Sequence, residues 1–514
     1  MRPEIFSCYF FLWLYFMKPH EWMPLLLMFK PVQLSTLIGL VAIYNRFGGI
    51  RKSMLLRTPH DRWMWSYLFY ICYTSGRFMD VFHRVKPVFL FYLVIICSIN
   101  SWKQLEKWLG FWISILLACC AMALLSLVGF DPAGGADITR GYMKGRLIFN
   151  ISIMSNPNAL GHTVVPCIPL VYYMWMWKRP IFVKIPAAFL VLLPAFTVWN
   201  TQSKGSYLAG SVTLLVGGLY KRHWILQVAV VMFASGSGMY LLNKLPRMNE
   251  LDKDEGGIQG RELAFSYGYY CVSQKAPWTG VGYKKYHSSM TRDIGKYIDI
   301  GTGDDIYIER ALATHGSYVE IGATLGRIGL LFFLGTIYLN FRVLVRADPK
   351  TVQQERCLRV LFILVLSWSV SAAVIDWAFN SPFFFLAAGC SVFHRLMWLE
   401  EYKIAHADQV KAREEEKEKS KGKGPGSMGG KGPPVKSAPP RKVLPVPPKP
   451  GGGGAPGGQM PGGIKRPSKG DEDEEPVRVD VKYWNKIRWY DYLIMACLVA
   501  ALIRGWKYGI EMDF

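Results

Sequence analysis

Apolar runs of about 15–22 residues follow one another along the chain, separated by shorter polar segments, which is the spacing of helices crossing a bilayer core of about 30 Å. The pattern predicts spans near 3–17, 30–45, 63–76, 86–99, 109–130, 158–177, 182–199, 206–220, 224–242, 316–341, 358–377 and 382–398, with a late one near 488–504. A membrane barrel would instead show alternating segments of about ten residues, and the chain has none. The expected fold class is therefore all-α and polytopic, with about twelve transmembrane helices plus the late one. One polar interval stands out. Residues 243–313 form the longest break between two spans in the first 400 residues, and they lead to His315 at the mouth of the 316–341 helix.

Charge orients the spans. Loops 46–62 and 342–359 and the short turns 178–184 and 221–223 are rich in Lys and Arg, and span counting puts all four on one side. The positive-inside rule makes that side cytoplasmic, together with the N-terminus and the segment from 399. Residues 131–157, 199–206 and 243–315 then fall on the other face. Loop 77–86, with Arg77, Arg84 and Lys86, also lands there against the rule; either an external cation serves a substrate or the neighbouring spans begin elsewhere.

Composition agrees with a membrane protein: 51% of the 514 residues are hydrophobic, and the mean hydropathy is +0.17. The formal net charge of +23 sits mostly in loops, where it serves topology and anionic headgroups, so no nucleic-acid partner is expected. Most of the ten cysteines lie in apolar spans without metal-ligand or disulfide-framework spacing. The first apolar run lacks a small-residue cleavage site and reads as a retained helix. The chain divides into a membrane domain over 1–398, with 243–315 as its large loop, a linker over 399–487 and an extra helix and tail over 488–514. Residues 424–470 are rich in Gly, Pro and Lys, and 471–475 are all acidic. Such a linker cannot bury enough apolar surface to offset its ordering entropy and is expected to be disordered.

Candidate chemistry clusters on the face of the large loop. Lys204 is either a point charge for a phosphate or a lysine snorkelling at the interface. Arg261, in Gly260-Arg261-Glu262, offers a planar fork for phosphate oxygens or a salt bridge with a nearby acid. His315 is either a base near neutral pH or an interfacial helix cap. Glu320, five residues on, falls on a different helix face and is not expected to pair with it. Asn156 and Asn158 flank a proline before a span, as a capped turn or as hydrogen-bond partners of sugar or diphosphate. Arg146 adds a cation in the preceding loop. Asp304 and Asp305 lack a third acid, so no metal site is expected.

In order along the chain stand Ser155-Asn156-Pro157-Asn158-Ala159-Leu160, Ser203-Lys204-Gly205-Ser206, Gly260-Arg261, Pro277-Trp278-Thr279-Gly280-Val281-Gly282, His315-Gly316-Ser317-Tyr318 and Leu325-Gly326-Arg327-Ile328-Gly329-Leu330. This ordered set, over roughly 145–345, resembles the O-antigen ligase and polymerase superfamily of bacterial membrane glycosyltransferases. The resemblance implies a metal-independent, inverting, GT-C-type transferase of the bacterial inner membrane with a periplasmic loop and no cofactor. Its donor would be a glycan on undecaprenyl diphosphate, and its acceptor a lipid or a glycan. Arg261 matches the family's loop arginine and His315 its histidine, implying catalytic roles. Arg146, Lys204, Asn156 and Asn158 would bind the diphosphate or glycan. Lys204 departs from the family's usual arginine and loses the bidentate fork. The Pro/Gly-rich linker and the last helix have no counterpart. The alternatives are a polysaccharide polymerase or a protein O-oligosaccharyltransferase within the same superfamily, or a flippase or transporter for a lipid-linked sugar; the last predicts inverted repeats and mid-membrane charges, of which Asp376 is the main candidate.

Overall fold

The computed structural model describes residues 2–50, 52–131, 145–220, 256–301, 305–421 and 487–511. The expected span 224–242, Arg140, Lys144, Asp304, the Gly/Pro-rich linker and the acidic run 471–475 lie outside the described residues. The main helices are α1 (Pro3–Met17), α2 (Pro31–Phe47), α3 (Pro59–Tyr73), α4 (Phe78–Ser98), α5 (Trp102–Leu125), α6 (Pro157–Val164), α7 (Ile181–Thr201), α8 (Lys204–Leu219), α9 (Gly256–Tyr270), α10 (Tyr286–Thr291), α11 (Ser317–Arg346), α12 (Val352–Ser371), α13 (Ser381–Lys421) and α14 (Trp489–Glu511).

Local sequence explains where these helices start. Pro3, Pro31, Pro59 and Pro157 occupy first helical positions, where a missing N–H costs nothing. Thr58 with Asp61, and Thr351 with Gln354, close reciprocal capping boxes. Ser101, Asn156 and Ser203 cap α5, α6 and α8 through their side-chain oxygens.

Among the described residues, seven helical segments are long and apolar enough to cross a membrane: Phe78–Ser98, Trp102–Val128, Pro157–Met176, Ile181–Thr201, Ser317–Arg346, Ser381–Ile404 and Trp489–Ile510. The chain is thus a multi-pass, mostly helical membrane protein. Helices α1, α2, α3, α8 and α12 are shorter or more polar. The outward face of α7 displays Ile181, Phe182, Ile185, Phe189, Phe196 and Trp199, all exposed. Such a continuous apolar stripe suits lipid rather than water.

The two ends of the helices differ. At one end Glu106 pairs with Arg179 at 3.0 Å and with Arg356, and Glu355 pairs with Lys178 at 3.1 Å and Arg359 at 2.8 Å. The turn after Met176 and the start of α12 therefore share a face. At the other end lies the large polar segment. It folds on a small core of Tyr267, Cys271, Tyr286, Met290, Ile298, Ile300 and Ile308. It also departs from the all-helical expectation. Tyr297–Asp299 (β1) and Asp305–Tyr307 (β2) pair antiparallel, with Ile298 opposite Ile306 and Tyr297 opposite Tyr307; an alternating polar-apolar-polar pattern suits a strand pair rather than a helix.

The early basic loop also falls into place. Helix α4 starts at Phe78, not near 86, so Arg84 and Lys86 lie in its opening turns. Lys285 Nζ donates to the Ser75 carbonyl at 3.3 Å, and Arg84 acts electrostatically on Tyr283. Residues 74–84 thus share the face of the large polar segment.

Helix α11 is broken at Gly326, which adopts φ 68° and ψ −166°. The turn Pro277–Gly282 fills the break. Val281 N–H donates to the Ala323 carbonyl at 2.9 Å and Gly282 N–H to that of Thr324 at 2.8 Å, while Arg327 N–H donates to the Pro277 carbonyl at 2.8 Å. The Tyr70 hydroxyl donates to the carbonyls of Trp278 and Leu325 at 3.1 and 3.0 Å. The backbone groups freed by the break are thereby satisfied, as a low-dielectric surrounding requires.

Residues Met1–Leu399 and Tyr483–Phe514 form one compact unit, and Glu400–Lys482 form another. Within the first, α14 lies antiparallel to α11. Asp491 bonds Tyr338 at 2.7 Å and pairs with Arg342 at 3.1 Å. At the far end Trp506 packs over Gly322.

Candidate functional site

Three helix starts meet at the end of the bundle that carries the large segment: α6 after Asn156, α8 after Ser203 and α11 after Gly316. Each carries partial positive charge at its N-terminus. Around them stand most of the residues singled out in the sequence.

Arg146 braces the first two. Its Nε donates to the Thr201 carbonyl at 3.0 Å and its Nη2 to Asn158 Oδ1 at 2.9 Å. Asn156 accepts the Asn158 N–H at 2.8 Å and so acts as a helix cap. Lys204 opens α8, half-buried. The Arg146–Asn158 bond brings two of the expected binding residues together, with Lys204 one turn beyond the Thr201 carbonyl that Arg146 grips.

His162, one helical turn beyond Asn158 on the same face, was not singled out in the sequence. It is buried, and its Nδ1 lies 2.9 Å from Ser371 Oγ. Its Nε2 lies against Gly205, where a Cβ would approach to 2.9 Å, so the glycine after Lys204 makes room for the ring. Arg261 stands within electrostatic reach of both His162 and His315. His162 therefore joins the Arg146–Lys204 side of the site to the Arg261–His315 side. A lone histidine in an apolar helix gives no local signal; only the fold brings it to the arginine.

Arg261 and His315 are exposed, and neither makes a hydrogen bond or ion pair among the described residues. His315 holds a left-handed backbone, φ 50°, a conformation uncommon outside glycine. The next residues fix it there. Ser317 N–H donates to the Ala372 carbonyl at 2.7 Å, and Ser317 Oγ to that of Ile375 at 2.6 Å. Trp377 N–H in turn donates to Ser317 Oγ at 2.8 Å. The start of α11 is thereby locked to the α12–α13 connection, which presents Asp376 to His315. Partial desolvation and the Arg261 charge lower the His315 pKa from its ordinary 6.5, and Asp376 opposes them; the imidazole is neutral at pH 7.

Asp376 also faces Glu320, which is 8% exposed and within electrostatic reach of Lys284. His315 precedes α11 and Glu320 lies within it, yet the Asp376 carboxylate acts on both. Behind this polar rim an aromatic cavity of about 60 Å3 runs inward, lined by His162, Trp377, Trp368, Trp112, Tyr15 and Phe16 among others. Among the described residues, no group of three or more His, Cys, Asp or Glu side chains is placed to hold a metal ion.

A scan against protein-family models and a search of curated proteins both find no match to this chain.

Proposed function

We propose that the protein is a membrane glycosyltransferase. It would move a glycan from a polyprenyl diphosphate carrier, undecaprenyl diphosphate in a bacterial inner membrane, to a lipid or glycan acceptor on the face of the large segment. About a dozen crossings in a GT-C-like arrangement, with that face periplasmic, complete the reading. The observation that supports it is the placing of cations around two histidines at one membrane end: Arg146 bonds Asn158, and Arg261 acts on His315 and on His162, which lines an aromatic cavity. Cations suit the diphosphate head of such a lipid.

In this reading, Arg261 and the Arg146–Lys204 side hold the diphosphate. Their positive charge stabilises its departure. Neutral His315 accepts the proton of the acceptor hydroxyl as that oxygen bonds to the anomeric carbon and the carbon–diphosphate bond breaks. The lowered His315 pKa favours a base over an acid here, and Asp376 steadies the imidazolium that forms.

The discontinuous α11 and the buried Glu320 beside Asp376 favour a transporter, since broken helices and buried charges often carry transported ligands. The freed backbone groups of α11, however, are taken by the Pro277–Gly282 turn. Purified protein with undecaprenyl diphosphate-linked glycan and a candidate acceptor, in EDTA, tests the two. Transfer that collapses in Arg261→Ala and His315→Ala variants of normal stability supports the transferase. Movement of the donor between leaflets without transfer to any acceptor supports the transporter.

A further inference from the structure

A second cationic pocket lies at the opposite end of α11, with the length of that helix between it and the candidate site. This cavity of about 340 Å3 is lined by His60 at the start of α3, by Leu339, Arg342, Val343 and Arg346 near the end of α11, by His394 of α13, and by Arg488 and Tyr490 at the start of α14. Four helices of the first compact unit thus contribute to it. Three arginines line it, and the acid beside them, Asp491, is buried against Arg342 and Tyr338. Among the described residues, the lining therefore carries more positive than negative charge. Arg346 and Arg488 both lie over the Tyr490 ring, at 6.0 and 5.8 Å from its centroid, so the aromatic face holds both guanidiniums toward one place.

His60 supplies an independent sign that something polar belongs there. It is 4% exposed and packs edge-on to His394 at 5.6 Å between ring centroids. Neither of its ring nitrogens has a hydrogen-bond partner among the described residues; the Leu339 carbonyl faces the ring without closing one. A buried imidazole without a hydrogen-bond partner is costly. A ligand oxygen in the cavity would meet it.

We propose that this pocket binds a phosphate group at the membrane boundary. Arginine forks match phosphate oxygens, and an imidazole N–H adds a donor from the cavity wall. The phosphate belongs either to an anionic lipid headgroup or to a soluble phosphate compound. The site is separate from the proposed diphosphate site and does not depend on that reading.

The test uses the full-length protein in detergent, in an Arg261→Ala background so that the other cationic site does not contribute. Dihexanoyl phosphatidic acid, dihexanoyl phosphatidylcholine and inorganic pyrophosphate are titrated separately by calorimetry. Phosphatidic acid is expected to bind, and phosphatidylcholine is not. Arg346→Gln with Arg488→Gln is expected to weaken binding by about ten-fold or more, since each headgroup cation contributes. Lysine at both positions is expected to restore most of it. Arg342 is left intact because its loss would strand Asp491. Pyrophosphate binding lost in the same variant supports the proposal with a soluble ligand; binding of the acidic lipid alone supports it with a headgroup. No binding by either phosphate probe, equal binding of phosphatidylcholine, or binding undiminished in a variant of normal thermal stability overturns it.

Discussion

Gly280 and Gly326 interlock. Both hold positive φ, 70° and 68°, and each faces the backbone of the other's segment. A Cβ on Gly280 would meet the Thr324 carbonyl carbon at 2.3 Å, and one on Gly326 would meet the Trp278 carbonyl at 2.4 Å. Neither backbone can retreat, because the surrounding hydrogen bonds tie both chains. Gly326→Ala is therefore expected to destabilise the protein by about 3 kcal/mol or more, the range of a strained and overpacked site. Gly218→Ala is the control: it has open space around it and is expected to leave thermal unfolding nearly unchanged.

Arg261 is the exposed cation that acts on both histidines of the candidate site. Its replacement by alanine is expected to lower the transfer rate by about 10²–10³-fold, the usual cost of one preorganised charge donor. Lysine at this position is expected to recover part of the rate. A rate assay with saturating donor, read beside thermal unfolding of each variant, separates chemistry from folding.

The His315 charge sets an acid limb. Its pKa is below 6.5, so the neutral form prevails at pH 7 and is lost as pH falls through the lowered value. The same sign governs stability. The unfolded chain takes up this proton at higher pH than the folded one, so the contribution of His315 to stability is present above about pH 6.5 and is lost as pH falls. Arg261→Gln is expected to move the acid limb to higher pH, and Asp376→Asn to move it lower. A pH–rate profile, or the titration of the His315 ring by NMR, reads both shifts.

Residues 74–84 and 283–285 share one face, and Lys178 lies on the other. In a chain with its exposed Cys497 replaced, cysteines at Arg77 and Ser288 are expected to react with a membrane-impermeant maleimide from the same side, and one at Lys178 from the opposite side. Labelling of Arg77→Cys and Ser288→Cys from different sides would contradict the packing of Lys285 against Ser75.

Arg342 and Asp491 form a pair almost out of reach of solvent, with side chains 7% and 0% exposed. Asp491→Asn is expected to destabilise the protein by about 3–5 kcal/mol, the cost of stranding a buried charge. The paired change Arg342→Met with Asp491→Leu is expected to recover most of that, as measured by thermal unfolding.

The helical bundle was legible because apolar run length is a local property. Most of the predicted spans correspond to described helices, while 224–242 falls outside the described residues. Edges were less legible: α4 starts eight residues before the expected 86 because charged residues in its opening turns interrupt the apolar run that marked it. The short strands were missed because three-residue segments carry too little periodicity. At the site, Arg146 and Asn158 were found by type, but their mutual bond depends on Thr201 closing in from another helix. His162 and Asp376 joined the site only through the packing of α6, α8 and the α12–α13 connection. The Pro277–Gly282 and Leu325–Leu330 motifs stand apart in the sequence, and the break at Gly326 shows in neither. Nothing local says that one supplies the hydrogen bonds the other lacks.

The antiparallel seat of α14 on α11 has a consequence for biogenesis. Arg342 is synthesised well before Asp491, so one half of a buried ion pair is in place before the other exists. Arrival of α14 closes that pair, so synthesis order itself becomes part of how this protein reaches its fold.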